Sequence, residues 1–148
     1  MDGGRTCGAK AGHPFPATEV PELRDWYIQV AAQTRVGKTV ERVRVQQDPP
    51  TGYQRFERWL DQWNLRAGET MGYLTHAQAH AVGLLPAVGQ VDWWLLDSSR
   101  LLLMHFDETG HRVGNELSTD PAAVAQACAW RDLVIRCSVP AQTAHTTA

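Results

Sequence analysis

Cysteine is scarce in this chain of 148 residues, which holds only Cys7, Cys128 and Cys137. An odd number of cysteines, with no pair at the short spacing of zinc ligands, excludes a disulfide framework and a cysteine-based zinc site. Unpaired thiols are typical of proteins in a reducing compartment. We therefore expect all three cysteines to be reduced and the protein to be cytoplasmic.

Long apolar runs and an excess of charge are also missing. No stretch approaches the ~20 apolar residues that a membrane helix needs, and residues 1–18 lack the apolar core of a signal peptide. The formal net charge is −2, and of the 14 basic residues only Lys10 and Lys38 are lysines. Domains that bind nucleic acid usually carry a basic excess. We therefore expect neither membrane association nor direct nucleic-acid binding.

Two short motifs resemble parts of known sites, and each lacks an essential residue. Gly37-Lys38-Thr39 matches the end of a phosphate-binding loop, but Ala32 stands where that loop needs its first glycine. His76 and His80 have one-turn spacing, but the glutamate of the zinc-protease pattern would lie at position 77, which is alanine. We therefore assign no catalytic residue, no metal site and no cofactor, and an enzymatic activity is not favoured.

The chain is predicted to be a single α/β domain with flexible ends. Residues 1–18 hold four glycines and two prolines, which favours a flexible arm, and residues 139–148 are predicted to be a flexible tail. Between them, at 19–138, the periodicity predicts helix, strand, helix, strand, short helix, a three-stranded antiparallel meander and a helix. Asp120 followed by Pro121 is typical of a helix start, and so is Thr75 before the short helix.

The meander begins with two strands that are apolar on both faces, VDWWLLD at 91–97 and RLLLMHFD at 100–107. A sheet with one wet face would alternate between apolar and polar residues. The pattern therefore predicts a mixed sheet of about five strands with helices on both faces. If Ser98-Ser99 is a two-residue turn, Asp92 lies opposite His105.

Six residues are candidates for a ligand- or partner-binding site: Arg42, Arg44, Tyr53, Arg55, Asp92 and His105. Alternation places the first two on one face of their strand, and Tyr53 and Arg55 lie at the start of the next helix. The arginines form either an anion-binding patch or a solvated surface with salt bridges. The Asp92–His105 pair is either an acid/base pair in a cleft or a structural pair near the strand ends.

Seven short blocks between Val40 and Asp132 resemble an actinobacterial family of unknown function. They are RVRV at 42–45, YQRFE at 53–57, AGE at 67–69, DWWLLD at 92–97, RLLLMHFDETG at 100–110, ELSTDPAAV at 116–124 and WRD at 130–132. Members usually carry a longer segment before the first helix, so we expect this segment to be shortened here. Genes of the family are often found beside helix-turn-helix regulators, which implies a regulatory accessory role and supplies no catalytic residues.

Two hypotheses about function follow. The first is a non-enzymatic regulatory accessory or binding module that acts with a helix-turn-helix transcriptional regulator, through protein contact or a small-molecule ligand. The alternative is a small enzyme or ligand-binding protein of specialised metabolism, with a cleft near Arg42, Arg44, Asp92 and His105. A deep pocket lined by these four residues would favour the alternative.

Overall fold

A computed structural model describes residues 19–85, 87–88 and 91–141. The predicted arm at 1–18, with Cys7, lies outside the described residues, as do residues 142–148 of the predicted tail. The elements are α1 (Pro21–Arg35), β1 (Glu41–Gln46), α2 (Gly52–Ala67), β2 (Thr70–Thr75), α3 (His76–Ala81), β3 (Val91–Leu96), β4 (Arg100–Phe106), β5 (Arg112–Ser118), α4 (Pro121–Cys137) and β6 (Val139–Pro140).

The mixed α/β class and the predicted order of elements are confirmed. The strands divide between two three-stranded sheets, with the orders β1-β2-β6 and β3-β4-β5, rather than forming one sheet of about five. The additional strand is β6, which lies in the first two residues of the predicted tail and pairs with β2 at Gly72 and Tyr73. None of the helices in the described part of the chain combines the length and apolarity that crossing a membrane requires.

Helix starts follow the local chemistry of the sequence. The Asp120 carboxylate accepts a hydrogen bond from the N–H of Ala123 at 2.9 Å and caps α4, whose first residue is Pro121, as predicted. Thr75 caps α3 through a reciprocal capping box with Gln78. These side chains satisfy backbone donors that the first helical turn leaves without partners.

The described residues divide into two compact units, so that the predicted domain at 19–138 contains parts of both. Unit 1 comprises residues 19–42, 51–71 and 141, and unit 2 comprises residues 43–50 and 72–140. In unit 1, α1 packs against α2, and Tyr27, Val30 and Met71 are buried. Polar side chains are buried in the same unit, and they form the cluster described below.

Unit 2 holds two hydrophobic clusters. The first is centred on Leu74, Ala79 and Leu84 and is completed by Val43, Val45, Val82, Leu85, Val88, Trp130, Val134 and Cys137. The second is centred on Leu101, Val124 and Ala127 and is completed by Trp93, Leu95, Leu103, Ala123 and Cys128. The second cluster packs α4 against the sheet of β3, β4 and β5.

The β3–β4 connection has three residues, Asp97, Ser98 and Ser99, because Leu96 pairs with Arg100. Asp97 and Ser98 have φ angles of 52° and 54°, and the Ser99 N–H donates to the Leu96 carbonyl at 3.1 Å. Two central residues with positive φ are the geometry of a type I′ turn. The turn is therefore centred on Asp97 and Ser98, whereas the prediction placed it at Ser98-Ser99. Ser99 is an extra residue between this turn and the first paired residue of β4, Arg100.

This extra residue shifts the pairing by one position, so the predicted register is wrong. Asp92 lies opposite Met104, and His105 lies opposite Val91. Paired residues share one face of a sheet and successive residues alternate between faces. Asp92 and His105 therefore lie on opposite faces of the sheet.

Candidate functional site

Three polar side chains form a buried network in unit 1. The Glu69 side chain is fully buried, and its Oε1 accepts a hydrogen bond from Arg42 Nε at 2.6 Å. Its Oε2 accepts a second from Asn64 Nδ2, also at 2.6 Å. The Arg42 guanidinium lies 5.6 Å from the centre of the Trp26 ring, within the range of a cation–π contact. The network thus joins α1, β1, α2 and the segment before β2.

A tight turn between α2 and β2 places Glu69 in this network. α2 ends at Ala67, and its C-cap residue Gly68 is in the left-handed conformation with φ 101°. The Thr34 hydroxyl donates to the Ala67 carbonyl at 3.0 Å, and a Cβ atom at Gly68 would lie 2.6 Å from the Thr34 Oγ1. Only glycine fits both the backbone angle and this close approach. Thus the AGE block forms the turn and the acceptor, and Arg42 of the RVRV block supplies the donor.

The buried network is a structural ion pair. Both carboxylate oxygens of Glu69 have donors, which is what a charge removed from water requires. Glu69 was not among the site residues predicted from the sequence, although its place directly after Ala-Gly at a helix end is a recognisable signal for a turn. Arg42, whose two interpretations were an anion-binding patch and a solvated surface with salt bridges, thus contacts Glu69 and Trp26.

The other predicted site residues lie in separate places. Tyr53, which is 70% exposed, and Arg55, also exposed, belong to the first turn of α2 in unit 1. Arg44 is half-buried on the part of β1 that belongs to unit 2. Asp92 is exposed on β3.

His105 has a different partner from the predicted one. Its Nε2 lies 3.3 Å from Glu116 Oε2 on β5, and the two side chains are 42% and 61% exposed. Glu116 pairs opposite Leu103, so it shares a face with His105. The acid/base pair of Asp92 and His105, on which the enzyme alternative depended, is not formed.

Two turns of the meander are fixed by side chains. Arg131 Nη1 of α4 donates to Ser98 Oγ at 2.6 Å, which ties the β3–β4 turn to the helix. In the next turn, Asp107 Oδ1 accepts from the backbone N–H groups of Thr109 and His111 and from the Thr109 hydroxyl. These hydrogen bonds, that from the Thr109 side chain first, lower the pKa of Asp107 below its usual value. Arg131, Asp107 and Thr109 belong to blocks that resemble the family, so these block residues stabilise the fold.

The sheet of β3, β4 and β5 has two unlike faces. The inner face carries Trp93, Leu95, Leu101 and Leu103, which pack with α4. The outer face is defined by the alternate residues Trp94, Leu96, Leu102, Met104, Phe106 and Leu117. Leu96, Phe106 and Leu117 are 37%, 38% and 59% exposed. Helix α4 thus lies on the inner face of this sheet.

Polar residues border the outer face. Asp92 lies beside Met104, Arg100 lies beside Leu96, Asn115 lies on the other side of Met104, and Arg112 lies beside Phe106. All four are exposed. An apolar centre with a polar rim is the composition of a protein–protein interface. Within the described residues, no three His, Cys, Asp or Glu side chains gather as they would to hold a metal ion.

These features define a mixed α/β protein that contains a three-stranded sheet with a helix on one face and exposed apolar residues on the other. The chain belongs to the family described as "Domain of unknown function (DUF6879)", which matches residues 9–144. No curated protein and no solved structure matches it significantly. The resemblance in the seven blocks is therefore confirmed as membership of a family of unknown function.

Proposed function

We propose that this protein is a non-enzymatic binding module that acts in the bacterial cytoplasm as an accessory to a helix-turn-helix transcriptional regulator. The observation that carries the proposal is the exposure of large apolar residues on the outer face, of which Leu117 is the most exposed, at 59%. Exposed large apolar side chains that share one face of a sheet favour an interaction site. The seven blocks imply an actinobacterial family whose genes are often found beside helix-turn-helix regulators. For this reason we propose such a regulator as the partner.

The buried network supports a binding role rather than chemistry. A catalytic carboxylate must reach a substrate, whereas both oxygens of Glu69 already accept hydrogen bonds inside unit 1. Asp92 and His105, which lie on opposite faces of one sheet, cannot pass a proton directly between them. The outer face thus offers contact area without a reactive group at its centre.

The proposal is tested by expressing the full chain together with the regulator encoded beside its gene. A tagged regulator should retain the chain through purification, and the chain should change the affinity of the regulator for its operator DNA in a gel-shift assay. Leu117→Glu, which places a charge on the most exposed apolar residue of the outer face, should abolish both effects.

A matched control is Ile28→Glu on α1. Ile28 and Leu117 are both 59% exposed, so the same charge is added at equal exposure on another surface. Ile28→Glu should leave the complex intact, and circular dichroism should show that both variants are folded. If the regulator does not bind the chain, or if Leu117→Glu binds like the natural chain, the proposal is wrong.

A further inference from the structure

Strand β5 lies at one edge of the sheet of β3, β4 and β5. We propose that an extended segment of the partner protein pairs with β5 and adds an antiparallel strand to this sheet. The segment places a basic residue opposite Glu116 and an aromatic residue opposite Gly114. This inference depends on the function proposed above, because Leu117 belongs both to β5 and to the outer face.

The backbone at this edge is accessible. Residues 112–117 are all exposed, and the Val113 side chain reaches 65%. Within the described residues, none of the backbone hydrogen bonds that lie outside helices and sheets involves residues 112–117. Alternate residues of an edge strand direct their N–H and C=O groups away from the sheet. An extended chain can pair with such a row of donors and acceptors, whereas a helix uses its own backbone groups internally.

The other edge strands in the described part of the chain are less suited to pairing. β3, at the opposite edge of the same sheet, has four half-buried residues out of six. β1, at the edge of the other sheet, also has four, and its last residue is buried. β6 has only two residues, and the second, Pro140, has no N–H to donate. β5 is therefore the edge at which a strand can be added.

β5 carries little of the protection that edge strands usually have. Such strands are commonly protected by lysine, by proline or by a bulge. β5 contains neither lysine nor proline, and its bulge lies at one end, at Val113, because His105 pairs with Gly114 and Phe106 pairs with Arg112. Residues 114–118 remain as a regular segment that another strand can pair with.

The charge in this segment favours a partner sequence over a second copy. If 114–118 paired antiparallel with itself over its full length, the two Glu116 carboxylates would lie opposite each other. Like charges in that position are destabilising, whereas a lysine or arginine there is favourable. The Glu116 side chain is 61% exposed and contacts His105 at 3.3 Å. Because a carboxylate accepts about four hydrogen bonds, it can bind a basic residue in addition.

Gly114 determines a second position of the partner segment. A Cβ atom at Gly114 would meet no atom within 4 Å, so the space above this glycine is open. An aromatic side chain on the added strand would cover the glycine and pack beside His105, which pairs with it. The expected partner sequence is an apolar, a basic, a polar and an aromatic residue, opposite Leu117, Glu116, Asn115 and Gly114.

The probe is a peptide of about nine residues with Val-Lys-Thr-Tyr at its centre, which covers the regular segment and leaves short flanks. Its match has glutamate in place of the lysine. Titration into the isotopically labelled full chain is followed by amide NMR shifts. We expect the lysine peptide to shift the amides of β5 and to bind about five-fold more tightly than the glutamate peptide.

Backbone pairing is tested separately with two N-methylated forms of the lysine peptide, each methylated on one set of alternate residues. Only one set directs its N–H groups toward β5, so one form should bind at least about ten-fold more weakly and the other almost normally. In hydrogen exchange, the β5 amides that point away from β4 should exchange rapidly in the free chain and become protected by the peptide.

Charge reversal on the chain provides the matched control. Glu116→Lys should reverse the preference between the lysine and glutamate peptides. Asp25→Lys on α1 reverses a charge at similar exposure, since the two side chains are 61% and 67% exposed, and it should not change the preference.

Four results would overturn the inference. They are equal binding of the lysine and glutamate peptides, equal effects of the two N-methylation patterns, protection of all β5 amides in the free chain, and binding of neither peptide by a chain that still binds the regulator. Protection in the free chain together with a dimer in analytical ultracentrifugation would assign the edge to a second copy. In the fourth case the proposed function would stand, whereas peptide binding at β5 without regulator binding would contradict only the proposed regulator.

Discussion

Replacing Arg42 by methionine tests whether the buried network stabilises unit 1. Methionine retains much of the apolar stem but removes the guanidinium, which leaves the buried Glu69 carboxylate with one donor, from Asn64. Breaking a buried ion pair from one side costs about 3–5 kcal/mol. Because the Arg42 side chain is 24% exposed, we take the lower end of that range, about 3 kcal/mol. Loss of the contact with Trp26 adds about 0.5–1 kcal/mol.

The expected loss, about 3–4 kcal/mol, is a large part of the ~5–15 kcal/mol by which domains are stable. Urea unfolding followed by circular dichroism and tryptophan fluorescence measures it. Glu69→Gln in the Arg42→Met background removes the uncompensated charge and keeps an amide oxygen for Asn64. The double variant should therefore be more stable than Arg42→Met alone, by about 1 kcal/mol or more.

An exposed ion pair in the same unit provides the control. Arg24 Nε lies 4.0 Å from Asp25 Oδ1, and the two side chains are 53% and 67% exposed. Arg24→Met should change the free energy of unfolding by less than about 0.5 kcal/mol. If Arg42→Met costs no more than Arg24→Met, or if the effects of Arg42→Met and Glu69→Gln are additive, the reasoning about the network is refuted.

Three further measurements test the turns and the core. Gly68→Ala should lower the free energy of unfolding by more than about 1 kcal/mol in urea, because alanine disfavours a positive φ and its Cβ would collide with Thr34; an unchanged midpoint would contradict this. Because the pKa of Asp107 is lowered in the folded protein, its carboxylate adds stability at pH values above its unfolded pKa, and this stability is lost as the pH falls through its folded pKa. Asp107→Asn should therefore flatten the acid side of the curve of unfolding free energy against pH. An unchanged curve would show that the hydrogen bonds of Asp107 add nothing to stability. Leu101→Ala should cost about 2–5 kcal/mol in urea unfolding because it leaves a cavity beneath α4, and a cost below about 1 kcal/mol would show that Leu101 is not packed there.

Features that depend on a few adjacent residues could be predicted from the sequence. Asp120 and Thr75 cap their helices because the cap and the backbone donor are only three residues apart. The strands at 91–96 and 100–106 were also identifiable, since their apolar and β-branched or aromatic residues are typical of buried strands. The class of the fold follows from these local signals.

The pairing of β3 with β4 could not be derived with the same certainty, because it depends on the conformation of one turn. Asp97-Ser98-Ser99 contains no glycine to identify the residues with positive φ, and both Asp97-Ser98 and Ser98-Ser99 resemble two-residue turns. A difference of one residue moves every side chain of a strand to the other face relative to its neighbour. The predicted pair of Asp92 and His105 was wrong for that reason, and His105 contacts Glu116 instead.

The buried network was equally hidden from sequence reasoning, but for another cause. Arg42 and Glu69 are 27 residues apart, and no periodicity links them. A charged residue near a helix end is usually solvated, so Glu69 gave no sign that it would be fully buried. To predict a non-local ion pair of this kind, one must know the tertiary path of the chain as well as its helices and strands.

The alternation within β4 separates the residues that pack in the core from those to which we assign partner binding. Leu101 and Leu103 point to α4, whereas Leu102 and Met104 belong to the outer face. The two sets alternate in one strand, so they have the same strand propensity and similar neighbours along the chain, and they differ mainly in the face on which they lie. Polar substitutions at the first set should therefore lower stability, and those at the second should mainly weaken partner binding while leaving the chain folded. A strand in which both sets affected stability equally would mean that the outer face is part of the core.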